Sequence, residues 1–319
     1  MGQIIFINPF ARTRISGGIK ATYHHAELLT ELGFNVTVFQ PDGPPTWCNP
    51  HLQALVSDQL APTGDDILVF PETLNGWLAD FAQAPTPATK VMFCQNQFYM
   101  FSYAITAEGY AERRFTKFIV PSEVAKRALE NVIGLSNVVM IPYYIDAGRF
   151  FPRDKIAHIA TVPWKFPFNR GIPAQADLIR RMLALKYPHL ASVPWQLLED
   201  KSEDEVADIM GRSAVFLSLS YMEACPLSPL EAMASGCVVV GYRGNGGLEY
   251  ATPENGLWFS PEELEEVTDA IATVIEGLSR GDPRVLAMRD AGIATAARFT
   301  RQDTKTALQR VYGALHPTS

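Results

Sequence analysis

The chain has 319 residues, 47% hydrophobic and 19% charged, with a formal net charge of -7. That length suits two domains rather than one core, and the composition is that of a globular, not a disordered, protein. The acid excess argues against a nucleic-acid binder held by phosphate contacts, and it is shared along the chain: 9 Lys and Arg against 13 Asp and Glu over 1–147, and 18 against 21 over 148–319.

Short apolar runs alternate with helical patterns from the first residues onward, which predicts parallel α/β sheets. Strand Gln3–Asn8 leads through a long loop (PFARTRISGG) to a helix over Gly18–Leu32, with Gly33 placed to cap it. Strands follow at Asn35–Gln40, Ile67–Phe70, Lys90–Cys94 and Phe118–Val120. Ser122 is a natural N-cap for a helix over 123–133, and Val138–Ile141 closes the half. The stretch PYYIDAGRFFP, residues 142–152, has a proline at each end and reads as a linker. The alternation then restarts, with strands at Ile156–Val162, Trp195–Leu198, Ala214–Leu219 and Val238–Tyr242. Helices are expected over Ala174–Tyr187, Glu203–Gly211, Pro229–Ser235 and most of 261–314. Two such halves imply a cleft, the usual place for a ligand.

The four cysteines, at 48, 94, 225 and 237, form no C-x-x-C, so neither a zinc site nor a redox pair is signalled. No H-E-x-x-H, Asp-x-Asp or G-x-S-x-G occurs, and His24 and His25 fall on the first long helix as structural residues. The basic cluster Arg113, Arg114, Lys117 reads as a solvated helix face. With no basic leader and no long apolar segment, the expected location is cytoplasmic, with peripheral contact to the inner face of a membrane left open.

The chemistry concentrates at 220–247, SYMEACPLSPLEAMASGCVVVGYRGNGG. Glu223 follows a buried strand at the carboxyl edge of a sheet, where α/β proteins bind ligands. Glu231 lies eight positions on, within the next helix. Ser228-Pro229-Leu230-Glu231 has the form of a capping box, so Glu231 has a structural reading of equal weight: binding the backbone of Ser228. The functional reading is a pair of carboxylates flanking a helix start, suited to sugar hydroxyls and a phosphate together. Gly244, Gly246 and Gly247 fit either a tight turn or close approach to a ligand. Gly17-Gly18 is not G-x-G-x-x-G, and the strand ending at Gln40 lacks the acidic residue of nicotinamide enzymes. Lys165 and Arg170 stand in the loop after the first strand of the second half, where two cations could neutralise a diphosphate.

With these residues in place, the chain resembles the retaining GT-B glycosyltransferases, most closely glycosyltransferase family 4. EACPLSPLEAMASG, residues 223–236, is similar to that group's E-x7-E signature. Supporting matches are the Ser16-Gly17-Gly18 loop, the linker from Pro142 to Phe150, the Gly246-Gly247 turn, Glu254-Asn255-Gly256-Leu257, and the five-spaced pair Lys165 and Arg170 with its residue types exchanged.

The resemblance implies an α/β fold of GT-B type, two Rossmann-like domains facing across a cleft. The N-terminal, acceptor-side domain would span 1–145 and the nucleotide-sugar domain 146–300, with a C-terminal helix over 301–319 able to pack back on the first. It implies transfer of a sugar, with retention, from a nucleotide diphosphate-sugar to a hydroxyl of a glycan, lipid-linked or small-molecule acceptor, with no cofactor, metal or nucleic acid. Glu223 would bind the transferred sugar, Glu231 the ribose, and the amides near Leu227 and Ser228 the phosphate. Lys165 and Arg170 would stabilise the leaving group, and Gly17 and Gly18 would let the first loop approach the donor. Gln95 and Asn96, where many members have a histidine, are candidate sugar or acceptor contacts; an amide hydrogen-bonds but is no base. Ala224-Cys225 and Tyr143-Tyr144 depart from the family pattern. A non-catalytic GT-B-like binder of a nucleotide-sugar or a partner is the alternative, disfavoured by the basic pair, and a nicotinamide oxidoreductase is disfavoured by its missing glycine fingerprint.

Overall fold

In the computed structural model, residues 2–47, 50–163 and 174–315 are described. The chain divides into two compact units, Met1–Tyr143 with Arg301–Ser319, and Tyr144–Thr300.

The first unit is built on seven parallel strands: β1 (Ile4–Ile7), β2 (Val36–Phe39), β3 (Val56–Ser57), β4 (Ile67–Pro71), β5 (Thr89–Phe93), β6 (Phe115–Val120) and β7 (Val138–Met140), in the order β3-β2-β1-β4-β5-β6-β7. Helix α1 (Gly17–Glu31) begins at Ser16, whose hydroxyl accepts the Ile19 N–H, and gives way to Gly33 at φ +87°, the left-handed cap expected from the sequence. The remaining helices of this stretch are α2 (Pro50–Gln53), α3 (Trp77–Gln83), α4 (Gln97–Tyr103), α5 (Ala107–Glu112) and α6 (Glu123–Ala128). Ser122 caps α6 as predicted, but the helix does not run evenly to 133. Residues Leu129–Ile133 widen into a π turn that ends at Gly134, φ +78°.

The second unit has five parallel strands, β8 (Ile156–Thr161), β9 (Trp195–Leu197), β10 (Ser213–Ser220), β11 (Val238–Arg243) and β12 (Gly256–Trp258), ordered β12-β11-β10-β8-β9. Its helices are α7 (Gln175–Lys186), α8 (Glu203–Arg212), α9 (Leu227–Ala234), α10 (Leu264–Arg280) and α11 (Pro283–Ala296). All eight residues of the central strand β10 are buried, because both faces of the sheet are covered. Val215, Leu217 and Leu219 pack with Ile179, Leu183, Val267 and Ile271 of α7 and α10. Phe216, on the other face, packs with Met210, Leu230, Met233 and Ala296 of α8, α9 and α11. The same alternation that fills the core thus fixes where β10 ends, and with it the placement of Glu223.

The last helix, α12 (Arg301–Leu315), returns to the first unit. Arg301 donates to both carboxylate oxygens of Glu31 and Lys305 pairs with the same group at 2.9 Å. Arg301 holds the Glu31 carboxyl down at about 2. Thr304 Oγ1 donates to the Pro142 carbonyl at 2.9 Å, and the buried Tyr312 ring lies 6.3 Å from Phe6. Among the described residues, no helix is long and apolar enough to cross a membrane.

Candidate functional site

Strand β10 delivers the chain to the carboxyl edge of the second sheet at Ser220, and the turn over 221–226 carries Glu223 into α9. The helix does not start as a capping box. Its N-cap is Pro226 (φ -70°, ψ 110°), no side chain caps it, and Ser228 is already the second helical residue. The cause is the proline: it has no N–H to place, its extended backbone directs the chain into the helix one residue later, and the Tyr250 hydroxyl clamps its carbonyl at 2.9 Å. Glu231 therefore lies beyond the first turn and owes no capping bond to Ser228.

A helix start leaves four N–H groups without intrahelical partners. Here the N-cap and the third helical residue are prolines, Pro226 and Pro229, and carry no N–H. The backbone donors left at this helix end are those of Leu227 and Ser228. Glu231 follows Leu227 by one turn on the same helix face and is 7% exposed.

Glu223 is half-buried, and its loop is braced from the opposite side. Its carbonyl accepts the Gly246 N–H at 2.9 Å. A Cβ on Gly246 would lie 1.8 Å from the Ala224 oxygen, so only glycine fits. The close approach made by this glycine is to the backbone of the Glu223 loop itself. Burial, with Glu249 and Glu223 adding negative charge, pushes the Cys225 thiol up, so the residue that departs from the family pattern is an inert, protonated thiol. Burial likewise keeps the Tyr250 hydroxyl protonated and able to donate to Pro226.

Asn255 ties this bracing together from within the core. It is 3% exposed; its Nδ2 donates to the Tyr250 carbonyl at 2.6 Å and to Thr295 Oγ1 at 3.0 Å, and its Oδ1 accepts the Thr252 N–H at 2.9 Å. Asn255→Ala strands those groups without partners, and we expect it to cost about 2 kcal/mol, read as a lowered denaturant midpoint for the second unit.

In the first unit the structure brings Gly18 and Gln95 together. Gly17 and Gly18 form the first two positions of α1. A Cβ on Gly17 would meet nothing within 4 Å, whereas one on Gly18 would lie 2.0 Å from Gln95 Oε1. Gln95 Nε2 donates to Thr22 Oγ1 at 2.9 Å, and Thr22 donates on to the Gly18 carbonyl. Asn96 is the N-cap of α4, its Oδ1 accepting the Phe98 N–H at 3.1 Å. Its own N–H donates to Glu72 Oε1 at 3.0 Å.

Glu72 is the residue that sequence reasoning missed. It directly follows β4 at the carboxyl edge, is 4% exposed, and is pushed up to about 7 by burial, against backbone hydrogen bonds from itself, Gln95 and Asn96. The signal was present: a carboxylate just past an apolar strand, the pattern that singled out Glu223. His25, by contrast, is core. Its ring stacks on Phe93 at 4.6 Å, neither nitrogen has a hydrogen-bond partner, and burial lowers it to about 3, so it is neutral. Lys165 and Arg170 lie outside the described residues.

Residues 183–283 match the model of the family described as glycosyl transferases group 1. The chain's fold is that of the GT-B glycosyltransferases. The chain is 26% identical over 317 residues to an alpha-1,6-glucosyltransferase of Actinobacillus pleuropneumoniae serotype 7, covering 95% of this chain and 93% of that protein. The same fold is found in sucrose-phosphate synthase from Thermosynechococcus elongatus (TM-score 0.71, 14% identity, 100% of both chains). It is shared also with Anabaena HepE, solved with UDP and glucose (TM-score 0.69, 14% identity, 100% of both chains). The family match begins within α7 and ends in α11, so it spans Glu223, the α9 start, Glu231 and Asn255.

Proposed function

We propose that the protein transfers a hexosyl group, with retention, from a nucleotide diphosphate-sugar to a hydroxyl of a glycan. The observation that carries this reading is the segment from Glu223 to Glu231. One carboxylate precedes a helix start and one follows it, and the only backbone donors left at that helix start are the Leu227 and Ser228 amides. Those amides suit the diphosphate, aided by the positive end of the helix. Glu231, one turn along, suits the two ribose hydroxyls, and Glu223 the hydroxyls of the transferred sugar. Lys165 and Arg170 supply positive charge for the departing diphosphate, so that the site needs no metal ion.

In the reaction, the bond between the anomeric carbon and the diphosphate oxygen breaks, and a bond to the acceptor oxygen forms on the same face. The acceptor's proton passes to the leaving phosphate oxygen, releasing the nucleoside diphosphate. A UDP-glucose donor is favoured by two likenesses: HepE has been solved in complex with UDP-glucose, and the Actinobacillus relative is a glucosyltransferase. We assign the acceptor to glycans and the protein to polysaccharide synthesis. The Gly18, Thr22, Gln95 and Asn96 cluster offers hydroxyl and amide groups suited to a sugar.

The test is incubation with UDP-glucose, UDP-GlcNAc and GDP-mannose, with glucan oligosaccharides as acceptors and with or without a chelator. We expect nucleoside diphosphate release from UDP-glucose that rises with acceptor and survives the chelator, giving a product of retained anomeric configuration. Nucleotide-sugar binding without turnover would instead make the protein a binder.

A further inference from the structure

The second unit has a cavity of about 340 Å³ at the carboxyl ends of β10, β11 and β12. It lies at the small end of ligand-site sizes. The aromatic residues Tyr221, Trp258 and Phe259 line it together with Leu248, Arg243 and Asn245. Tyr221 and Leu248 are 44% and 54% exposed, an unusual amount of apolar surface to leave in water beside a polar rim.

The walls are held in place. Trp258 Nε1 donates to the Thr252 carbonyl at 3.0 Å and the Phe259 N–H to the Gly241 carbonyl at 2.9 Å. Gly244, at φ +64°, turns the chain where a Cβ would lie 3.2 Å from the Tyr221 oxygen. Two donors are left over. Among the described residues, the Arg243 guanidinium and the Asn245 side-chain amide engage no partner, and no side chain caps the short helix that Asn245 begins. Two donors without partners do not suit a wholly apolar ligand. A single cation, with Glu263 also lining the cavity, does not suit a polyanion. A pyranose ring meets both requirements: its C–H face stacks on aromatic rings and its adjacent hydroxyls accept from a guanidinium and an amide.

The geometry points to a saccharide subsite here, taking an uncharged pyranose unit of a glycan. The turn that lines it also bonds the Glu223 carbonyl through the Gly246 N–H, so an occupant sits one turn of backbone from the proposed transfer site. The subsite holds a glycan beside the site of transfer, and it rests on the glycosyltransferase reading for the class of ligand.

The test is calorimetry on the full chain without donor, using isomaltotriose, maltotriose and cellotriose at millimolar concentration. At least one binds saturably, and the double variant Arg243→Ala, Asn245→Ala binds it about tenfold more weakly. Leu248→Asp, at an exposed position, weakens the same binding and guards against a folding defect in the double variant. Donor hydrolysis is measured in parallel and is unchanged in all variants. Failure of every trisaccharide to bind, or equal binding by wild type and both variants, overturns the subsite. Saccharide binding without turnover of any nucleotide-sugar overturns the transferase reading and leaves the subsite standing.

Discussion

Glu223→Gln lowers turnover of the nucleotide-sugar about 100-fold while nucleoside diphosphate binding stays within a few-fold of wild type. The expectation follows from how the residue is mounted. Its loop is fixed by the Gly246 N–H on the Glu223 carbonyl, by glycine-tight packing of Gly246 on Ala224, and by the Tyr250 hydroxyl on Pro226. None of these bonds uses the Glu223 carboxylate, and glutamine matches glutamate in size and shape, so the substitution is expected to keep the loop and the fold. The change is confined to the charge, and a charged acceptor bonding sugar hydroxyls is worth more than a neutral one as the ring takes on positive character in the transition state. On the proposed assignment, Glu231 and the Leu227 and Ser228 amides would remain to bind the nucleotide. Steady-state kinetics with a separate titration of nucleoside diphosphate makes the check. Turnover within threefold of wild type would remove Glu223 from the site, and equal loss of nucleotide binding would make its role structural.

The long elements were legible because their apolar runs are buried on both faces. β1, β4, β5, β10 and β11 all lie within a residue or two of the predicted spans, and all are built on short apolar runs inside a parallel sheet. Helices α3, α4 and α5 were not found, since at six or seven residues each they complete too few turns to show a period. β12 has three residues and is a strand only because β11 pairs with it. The start of α9 was misplaced because a capping box is a local pattern, whereas Pro226 and the distant Tyr250 decide the cap. Gly18 and Gln95 were picked out separately, but nothing in the sequence says that they touch. Glu72 was passed over although it follows its strand as Glu223 does: no glycine cluster or second carboxylate stood near it to mark the position.

Replacing that carboxyl by an amide, Glu72→Gln, is expected to stabilise the first unit at pH 8 relative to pH 4.5. Glu72 is pushed from 4.5 to about 7 in the folded protein, chiefly by burial. Below pH 4.5 the carboxyl is protonated in both the folded and unfolded chain and contributes no pH dependence. Between 4.5 and 7 the unfolded chain gives up the proton while the folded one retains it, so stability falls as pH rises. Above 7 both are ionised and the loss levels off. The full span corresponds to about 3 kcal/mol. Glutamine cannot titrate, yet its oxygen can still accept the Asn96 N–H that Glu72 holds at 3.0 Å. Any fixed cost of its extra N–H groups is the same at both pH values and cancels in the comparison. The neighbours that couple to Glu72, Cys94 and Tyr110, are themselves pushed up by burial and stay protonated throughout. The measurement is amide hydrogen exchange of β4 and β5, comparing variant with wild type at each pH so that intrinsic exchange rates divide out. A variant-to-wild-type difference that does not change between pH 4.5 and 8 would show that Glu72 is not the buried, proton-retaining group its surroundings make it.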